Sequence, residues 1–283
     1  MSGCIGSDDT NDASGDANPD EDQKGTISFA VPPWPGATVK QEVVRTILED
    51  KGYDVEVSKL DAGIIYAEMT EGNIDALIAG WLPVTHQEYW EQHGDELEKV
   101  KANVPSTWLG LAVPAYVYEE GVHSIEDLND YTDQFDGRIA GIDPGAGVML
   151  STEEAIDTYG LDYDLEASST LAMMAEVDRC IDDGTWVAFT IWEPHSAFAQ
   201  FDIRKLEDPK QVYGGGDKVY TVVRPDLSEE LPDVYAFFQN FQVSPDTQSE
   251  WILEYSTNDR PATEVAQEWV DNNQGKVEEW WPS

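Results

Sequence analysis

The chain has 283 residues, and its 57 acidic side chains against 16 basic ones give a net charge of −41 at pH 7. Yet 41% of the residues are hydrophobic and 11% aromatic, too much apolar material for a disordered acidic chain and enough for two lobes around a large core. The charge argues against nucleic acid and anionic membrane surfaces as direct partners. Because the acids run along the whole chain, they read as the coat of an extreme halophile, whose self-repulsion is relieved where molar salt shortens the Debye length to about 3 Å.

Ser2-Gly3-Cys4 opens the chain, and a run of Gly, Ser, Asp, Asn and Ala extends from there to residue 24. Small-small-Cys ahead of such a solvated tether resembles the processing site of a secreted lipoprotein, so residues 1–24 read as an anchor and tether with Cys4 as the lipid anchor. The reading requires a hydrophobic leader ahead of Met1. Cys180, at the end of a helical pattern, is expected to be buried and inert, and two cysteines are too few for a disulfide framework. No stretch reaches the roughly 18 apolar residues of a membrane span.

From Gly25 the pattern is regular. Thr26 to Val31 reads as a strand, broken by Pro32-Pro33-Trp34-Pro35-Gly36, after which Thr38 and Gln41 form a capping box for a helix to about Lys51. Tyr53 to Lys59 is a strand, Ala62 to Glu71 a helix and Asp75 to Ala79 a buried strand, which makes a β-α-β-α-β parallel sheet. Thr107 to Tyr118 is a long strand-like segment expected to cross into a second lobe near Pro114. There Ser124 caps a short helix with Asp127, Arg138 to Ile142 is a strand, and Asp143-Pro144-Gly145-Ala146-Gly147 opens a helix to Tyr159. Thr170 to Ile181 and Thr185 to Ile191 add a helix and a buried strand, and Val219 to Val223 is placed for the return crossing. Helical patterns at Ser228–Asn240, Pro245–Tyr255 and Thr263–Trp280 have the amphipathic spacing to pack back on the first lobe. The expected organisation is an α/β fold of two lobes: 25–112 with 226–283, and 113–225.

One phrase occurs twice. Glu71-Gly72 leads through Asp75–Ala79 to Trp81-Leu82-Pro83, and Asp183-Gly184 leads through Val187–Ile191 to Trp192-Glu193-Pro194, with His86 and His195 close behind. Each copy is a helix end, a Gly stop, a buried strand and a Trp where that strand runs out. Open α/β sheets bind ligands beyond the carboxyl ends of their strands, so two such units suggest a cleft with an indole on either side. Trp34, after the first strand, sits in a similar setting, and Trp108 opens the crossing segment. A quaternary ammonium has no N–H to donate, and a protein holds it by cation–π attraction, about 0.5 to 2 kcal/mol per ring, and methyl packing. Gly145-Ala146-Gly147 at a helix start, like Gly36-Ala37-Thr38, offers backbone N–H groups to an anionic group. His86 and His195 are candidate donors to a carboxylate. Asp143 either caps the Gly loop or faces a ligand's cation or hydroxyl.

No Gly-x-Ser-x-Gly, no phosphate loop and no His-Glu-x-x-His is present, and His86 and His93 lack metal-ligand spacing. Neither a catalytic residue, a metal nor a cofactor is expected. The runs Asp75–His86, Gly110–Tyr116, Ser124–Leu128, Gly141–Gly147, Trp192–His195 and Leu206–Pro209 resemble the glycine betaine (OpuAC-type) substrate-binding proteins of ABC importers. The likeness runs from about Gly25 to the C-terminus. It implies a two-lobe periplasmic-binding-protein-like fold of type II, two crossing segments, a lipid-anchored position on the outer face of the membrane, and a permease with its ATPase as partner. It also implies an aromatic cage. Trp81 and Trp192 match cage positions, but the C-terminal stretch that supplies a further Trp in the family, here Phe237–Val243, has none. Trp34 matches a cage Trp of the related choline-binding proteins. The expected function is capture of glycine betaine or a related quaternary ammonium solute by a monomeric receptor, with choline, carnitine and proline betaine as rival ligands. A halophilic carbohydrate-active enzyme with strand-end Trp is the rival of another class, and a free-standing sensor a third.

Overall fold

A computed structural model describes residues 24–282. Cys4 lies outside the described residues. In chain order the elements are β1 (Thr26–Val31), α1 (Pro35–Asp50), β2 (Asp54–Lys59), α2 (Ala62–Thr70), β3 (Ala76–Leu82), α3 (Gln87–His93), β4 (Glu98–Val104), β5 (Trp108–Pro114) and α4 (Ala115–Glu119). There follow β6 (Arg138–Ala140), α5 (Gly147–Tyr159), β7 (Asp164–Glu166), α6 (Thr170–Asp183), β8 (Ala188–Glu193), α7 (Ala197–Gln200), β9 (Ile203–Lys205) and β10 (Lys218–Val223). Five helices close the chain: α8 (Leu227–Glu230), α9 (Pro232–Asn240), α10 (Pro245–Ser256), α11 (Ala262–Asn272) and α12 (Gln274–Trp280).

The strands form two five-stranded sheets, ordered β2-β1-β3-β10-β4 and β7-β6-β8-β5-β9. They share one plan. In the first, β1 runs parallel to β2 and β3, while β10 is antiparallel to β3 and β4. In the second, β6 runs parallel to β7 and β8, while β5 is antiparallel to β8 and β9. Each sheet is therefore mixed, because a strand arriving from the other half of the chain is inserted beside the Trp-bearing strand. The central strand β3 is buried at every position and β8 at all but its last, which accounts for their continuous apolar reading.

The crossings lie elsewhere than the expected boundaries at 112/113 and 225/226. All of β5 belongs to the second sheet, and all of β10 to the first. The chain passes over at Pro105-Ser106-Thr107, where a residue without an N–H ends β4, and it returns between β9 and β10. Pro114 instead ends β5 and leads into α4. The two junctions touch: Thr107 Oγ1 donates to the Asp217 carbonyl at 2.8 Å.

α1 packs against α10 and α11, and α9 lies on β4 with α12 beside it. The capping box at Thr38 is not formed. α1 begins at Pro35, whose fixed φ and missing N–H suit a first helical position, and Trp34 is the residue before it. Thr38 lies within the first turn and donates its hydroxyl to the Trp34 carbonyl at 3.0 Å.

Candidate functional site

Trp81 and Trp192 each occupy the next-to-last position of their strand, β3 and β8. Gly72 and Gly184, both at positive φ, end the preceding helices and turn the chain into those strands. A cis proline follows each Trp by two residues, Pro83 and Pro194. Trp34, Trp81 and Trp192 are 7%, 6% and 6% exposed, and all three line one cleft between the two halves. Thr85 adds to the wall on the first-sheet side, and Leu109, Ile142, Ala146, Gly147 and Val148 face it from the second. The wall is almost entirely carbon.

The two sides meet closely. Trp34 Nε1 donates to both carboxylate oxygens of Asp143, at 3.2 and 3.3 Å, and Tyr89 donates its hydroxyl to the Gly145 carbonyl at 3.2 Å. A Cβ on Gly147 would lie 2.2 Å from the Thr85 carbonyl oxygen, so only glycine permits this approach. Thr85 is itself pinned. Its N–H and that of Val84 donate to the Asp217 carboxylate at 2.9 and 2.7 Å, which ties the loop after Trp81 to the return crossing.

At the start of α5, Ala146 N–H is bonded to the Asp143 carbonyl at 3.0 Å. The next two N–H groups, of Gly147 and Val148, head the helix without a backbone acceptor among the described residues and stand at the cleft wall. They and the positive end of the helix dipole suit an anionic group.

His86 is fully buried. Its Nδ1 accepts the Trp81 N–H at 3.2 Å and lies 3.2 Å from the Tyr66 hydroxyl, so its proton sits on Nε2, which has no protein partner among the described residues. The ring packs against Trp34 at 5.8 Å and against Tyr66 and Tyr89, each at 5.6 Å. His195 repeats the theme: Nδ1 accepts the Ala197 N–H at 3.1 Å, Nε2 is unpartnered, and the ring stands edge-on to Trp192 at 4.9 Å. Burial lowers their pKa values to about 3 and about 4, so both rings are neutral at ordinary pH. Neither His is among the residues of the cleft wall; each backs a Trp that is.

Trp108 is not in the cleft. It shares an outer groove with Glu193, Pro194 and Phe198, and Lys205 Nζ, paired with Glu193 at 2.5 Å, sits 4.6 Å above its ring. Strand alternation is the reason. Trp108 and Leu109 point to opposite faces of β5, and it is Leu109, paired in register with Trp192, that reaches the cleft. Phe237, Phe238 and Phe241 are core residues packed against Phe29 and Trp280, away from the cleft. Thr85, Leu109, Ile142, Val148, Tyr89 and Asp217 were not singled out by the sequence; their parts depend on long-range contacts, and only the short-range alternation at Leu109 carried a usable signal. No group of three or more His, Cys, Asp or Glu placed to hold a metal occurs among the described residues.

Residues 25–272 match the family model described as the substrate binding domain of ABC-type glycine betaine transport systems. The chain belongs to this family. Its members are receptors of transporters rather than enzymes. A glycine betaine/carnitine transport binding protein of Listeria monocytogenes is 40% identical over 154 residues, 53% of this chain and 51% of that protein. The match thus spans about half the length of that relative. The lactococcal OpuAC structure, closed and complexed with glycine betaine, superposes with a TM-score of 0.86 at 28% identity, covering 91% of this chain and 100% of that one. An ABC-transporter choline binding protein in complex with choline gives a TM-score of 0.86 at 27% identity, covering 90% of this chain and 91% of that one. The two-lobe α/β fold is that of these binding proteins.

Proposed function

We propose that this chain captures glycine betaine, or a closely related quaternary ammonium solute, between its two lobes and delivers it to an ABC importer. The observation that carries the reading is the convergence of Trp34, Trp81 and Trp192 on one carbon-lined cleft. Three indole faces around a trimethylammonium supply cation–π attraction of about 0.5 to 2 kcal/mol each, more where water is excluded, and the methyl groups fill the apolar wall. The ligand's carboxylate is assigned to the Gly147 and Val148 N–H groups at the start of α5, while His86 backs Trp34. His195 holds Trp192 from behind instead of touching the ligand. The resemblance to proteins complexed with glycine betaine and with choline supports the same ligand class. The match to a family of transporter receptors argues against the carbohydrate-active rival.

A ligand shifts the lobes toward closure only through contacts it makes on both sides, and Trp81 and Trp192 stand on opposite sides. The closed form is then the one read by the permease and its ATPase. Among the described residues no helix is long and apolar enough to cross a membrane, and we place the receptor on the outer face of the cell membrane, as a monomer held by a lipid on Cys4. The acidic coat suits this work in strong brine.

The test is intrinsic Trp fluorescence in molar KCl, with glycine betaine, choline, carnitine and proline titrated in parallel. A saturable change with a quaternary amine and none with an uncharged sugar is the expected result. No response to any quaternary amine sinks the reading.

A further inference from the structure

Asp143 stands at the point of the second half that corresponds to Trp34 in the first, in the loop after the first parallel strand and before the next long helix. The two side chains meet across the cleft, and Trp34 Nε1 bridges both carboxylate oxygens at 3.2 and 3.3 Å. The geometry points to Asp143 as the charge-selecting residue of the site, which favours a ligand with net positive charge over a zwitterion of the same shape. This inference rests on the proposed binding of a quaternary ammonium in the cleft.

Three observations carry it. First, the carboxylate is half-buried, and no Lys or Arg pairs with it among the described residues; its hydrogen-bonding side-chain partner is an indole, which keeps the site's negative charge uncompensated. The charged and titratable groups around it do not change this. Asp61, before α2, adds like charge, Tyr89 on α3 is a neutral phenol, and His86 behind Trp34 is a neutral imidazole. Second, a carboxylate that accepts an indole N–H pushes electron density into the ring, and Trp34 presents that ring to the cleft. A cation on the ring face therefore gains both from a more negative ring and from the nearby carboxylate. Third, the bond spans the two halves. It fixes the carboxylate and the ring together where the two halves meet.

The consequence differs between ligands. Choline carries only the cation and takes the full benefit. Glycine betaine carries its own carboxylate, which Asp143 repels, so attraction and repulsion partly cancel. Burial and the neighbouring Asp61 raise the Asp143 pKa, whereas the indole bond lowers it less. As pH falls through that raised value the carboxyl becomes neutral, and choline binding weakens while the cage itself is unchanged.

Asp143→Asn keeps an oxygen that accepts the indole N–H and removes the charge; Asp143→Ala removes both. Titration calorimetry with choline chloride and with glycine betaine on wild type and both variants, at neutral and at acid pH, separates the possibilities. For Asp143→Asn we expect choline to weaken about tenfold and glycine betaine by less than about threefold, with the acid loss of choline affinity seen in the wild type abolished. Thermal melts of the free variants report whether the fold is intact. Equal weakening of both ligands, or an unchanged acid limb in Asp143→Asn, overturns the charge role and leaves Asp143 a structural latch. If the wild type binds neither ligand, the cage reading itself fails and takes this one with it.

Discussion

The two halves of this molecule are built to one strand order but furnish the cleft differently. In each, a buried strand ends in Trp, a cis proline follows, and a neutral His accepts a backbone N–H through Nδ1. The loop after the first parallel strand departs from this likeness: the first half places Trp34 there, the second Asp143. The duplicated part supplies matched aromatic walls, and the part that is not duplicated supplies a third ring on one side and a negative charge on the other. The start of α5, which stands in the cleft wall where the start of α1 does not, completes the asymmetry by offering N–H groups to an anion. On the proposed function, a cleft between like halves thus acquires a direction, with a place for a cation and a place for a carboxylate.

The largest effect is expected where the halves are alike. Trp81→Ala and Trp192→Ala each remove a whole cage wall and should weaken binding by about 30- to 1,000-fold, the range of a buried aromatic anchor of about 2 to 4 kcal/mol. Equilibrium dialysis with labelled glycine betaine checks this. If one of the pair is dispensable, the two halves do not share the cage.

Next comes the closeness of approach. Gly147→Val places a side chain where its Cβ would meet the Thr85 carbonyl at 2.2 Å, so the variant should fold but fail to close. Affinity should drop by about a hundredfold, with the melting temperature of the free protein shifted by less than about 3 °C. Small-angle scattering with and without ligand should give the same open envelope. Compaction on adding ligand would show that the lobes close by another route.

The two His residues sharpen the comparison at lower energy. Their folded-state pKa values, lowered to about 3 for His86 and about 4 for His195, lie below the ordinary value near 6.5 that the unfolded chain restores. The unfolded state therefore binds more protons as pH falls below about 6.5, and each His removes about 1.4 kcal/mol of stability per pH unit until its own folded pKa is reached. Urea unfolding of His86→Gln and of His195→Gln between pH 6 and 5 should show a shallower loss than the wild type, by about that slope for each. An unchanged slope in both means that the imidazoles are not held neutral by burial. The smallest effect is at Trp108: Trp108→Ala should change ligand affinity by less than about twofold, because Leu109 and not Trp108 reaches the cleft.

Much of this plan was legible in the sequence where local chemistry is strong. The two Trp strands announce themselves because they are buried on both faces and are preceded by Gly at positive φ. β7 and β9, of three residues each, and β4, rich in Lys and Glu, were not seen. Short or one-sided strands at the outer part of a sheet bury too little to leave a pattern. The crossing was misplaced because the apolar run from Trp108 to Val117 continues through the end of a strand into a helix, while the actual break at Pro105 is a single residue. The cap of α1 was assigned to Thr38 because a side-chain cap looks alike in any sequence; Pro35 began the helix sooner. Of the site, Trp34, Trp81, Trp192 and the start of α5 were readable. Asp217, which holds Val84 and Thr85 from 132 or more residues away, was not, since nothing local to an Asp reports a partner at that distance.

The central claim is that the paired halves recognise the positive charge of a quaternary nitrogen through indole faces, and not merely the shape of three methyl groups. The most direct measurement is calorimetric titration of glycine betaine beside tert-butylacetate, the isostere in which carbon replaces the charged nitrogen. The account predicts that glycine betaine binds at least about tenfold more tightly, the effect of about 1.4 kcal/mol or more of cation–π attraction. Equal affinities would contradict it and reduce the cleft to an apolar pocket.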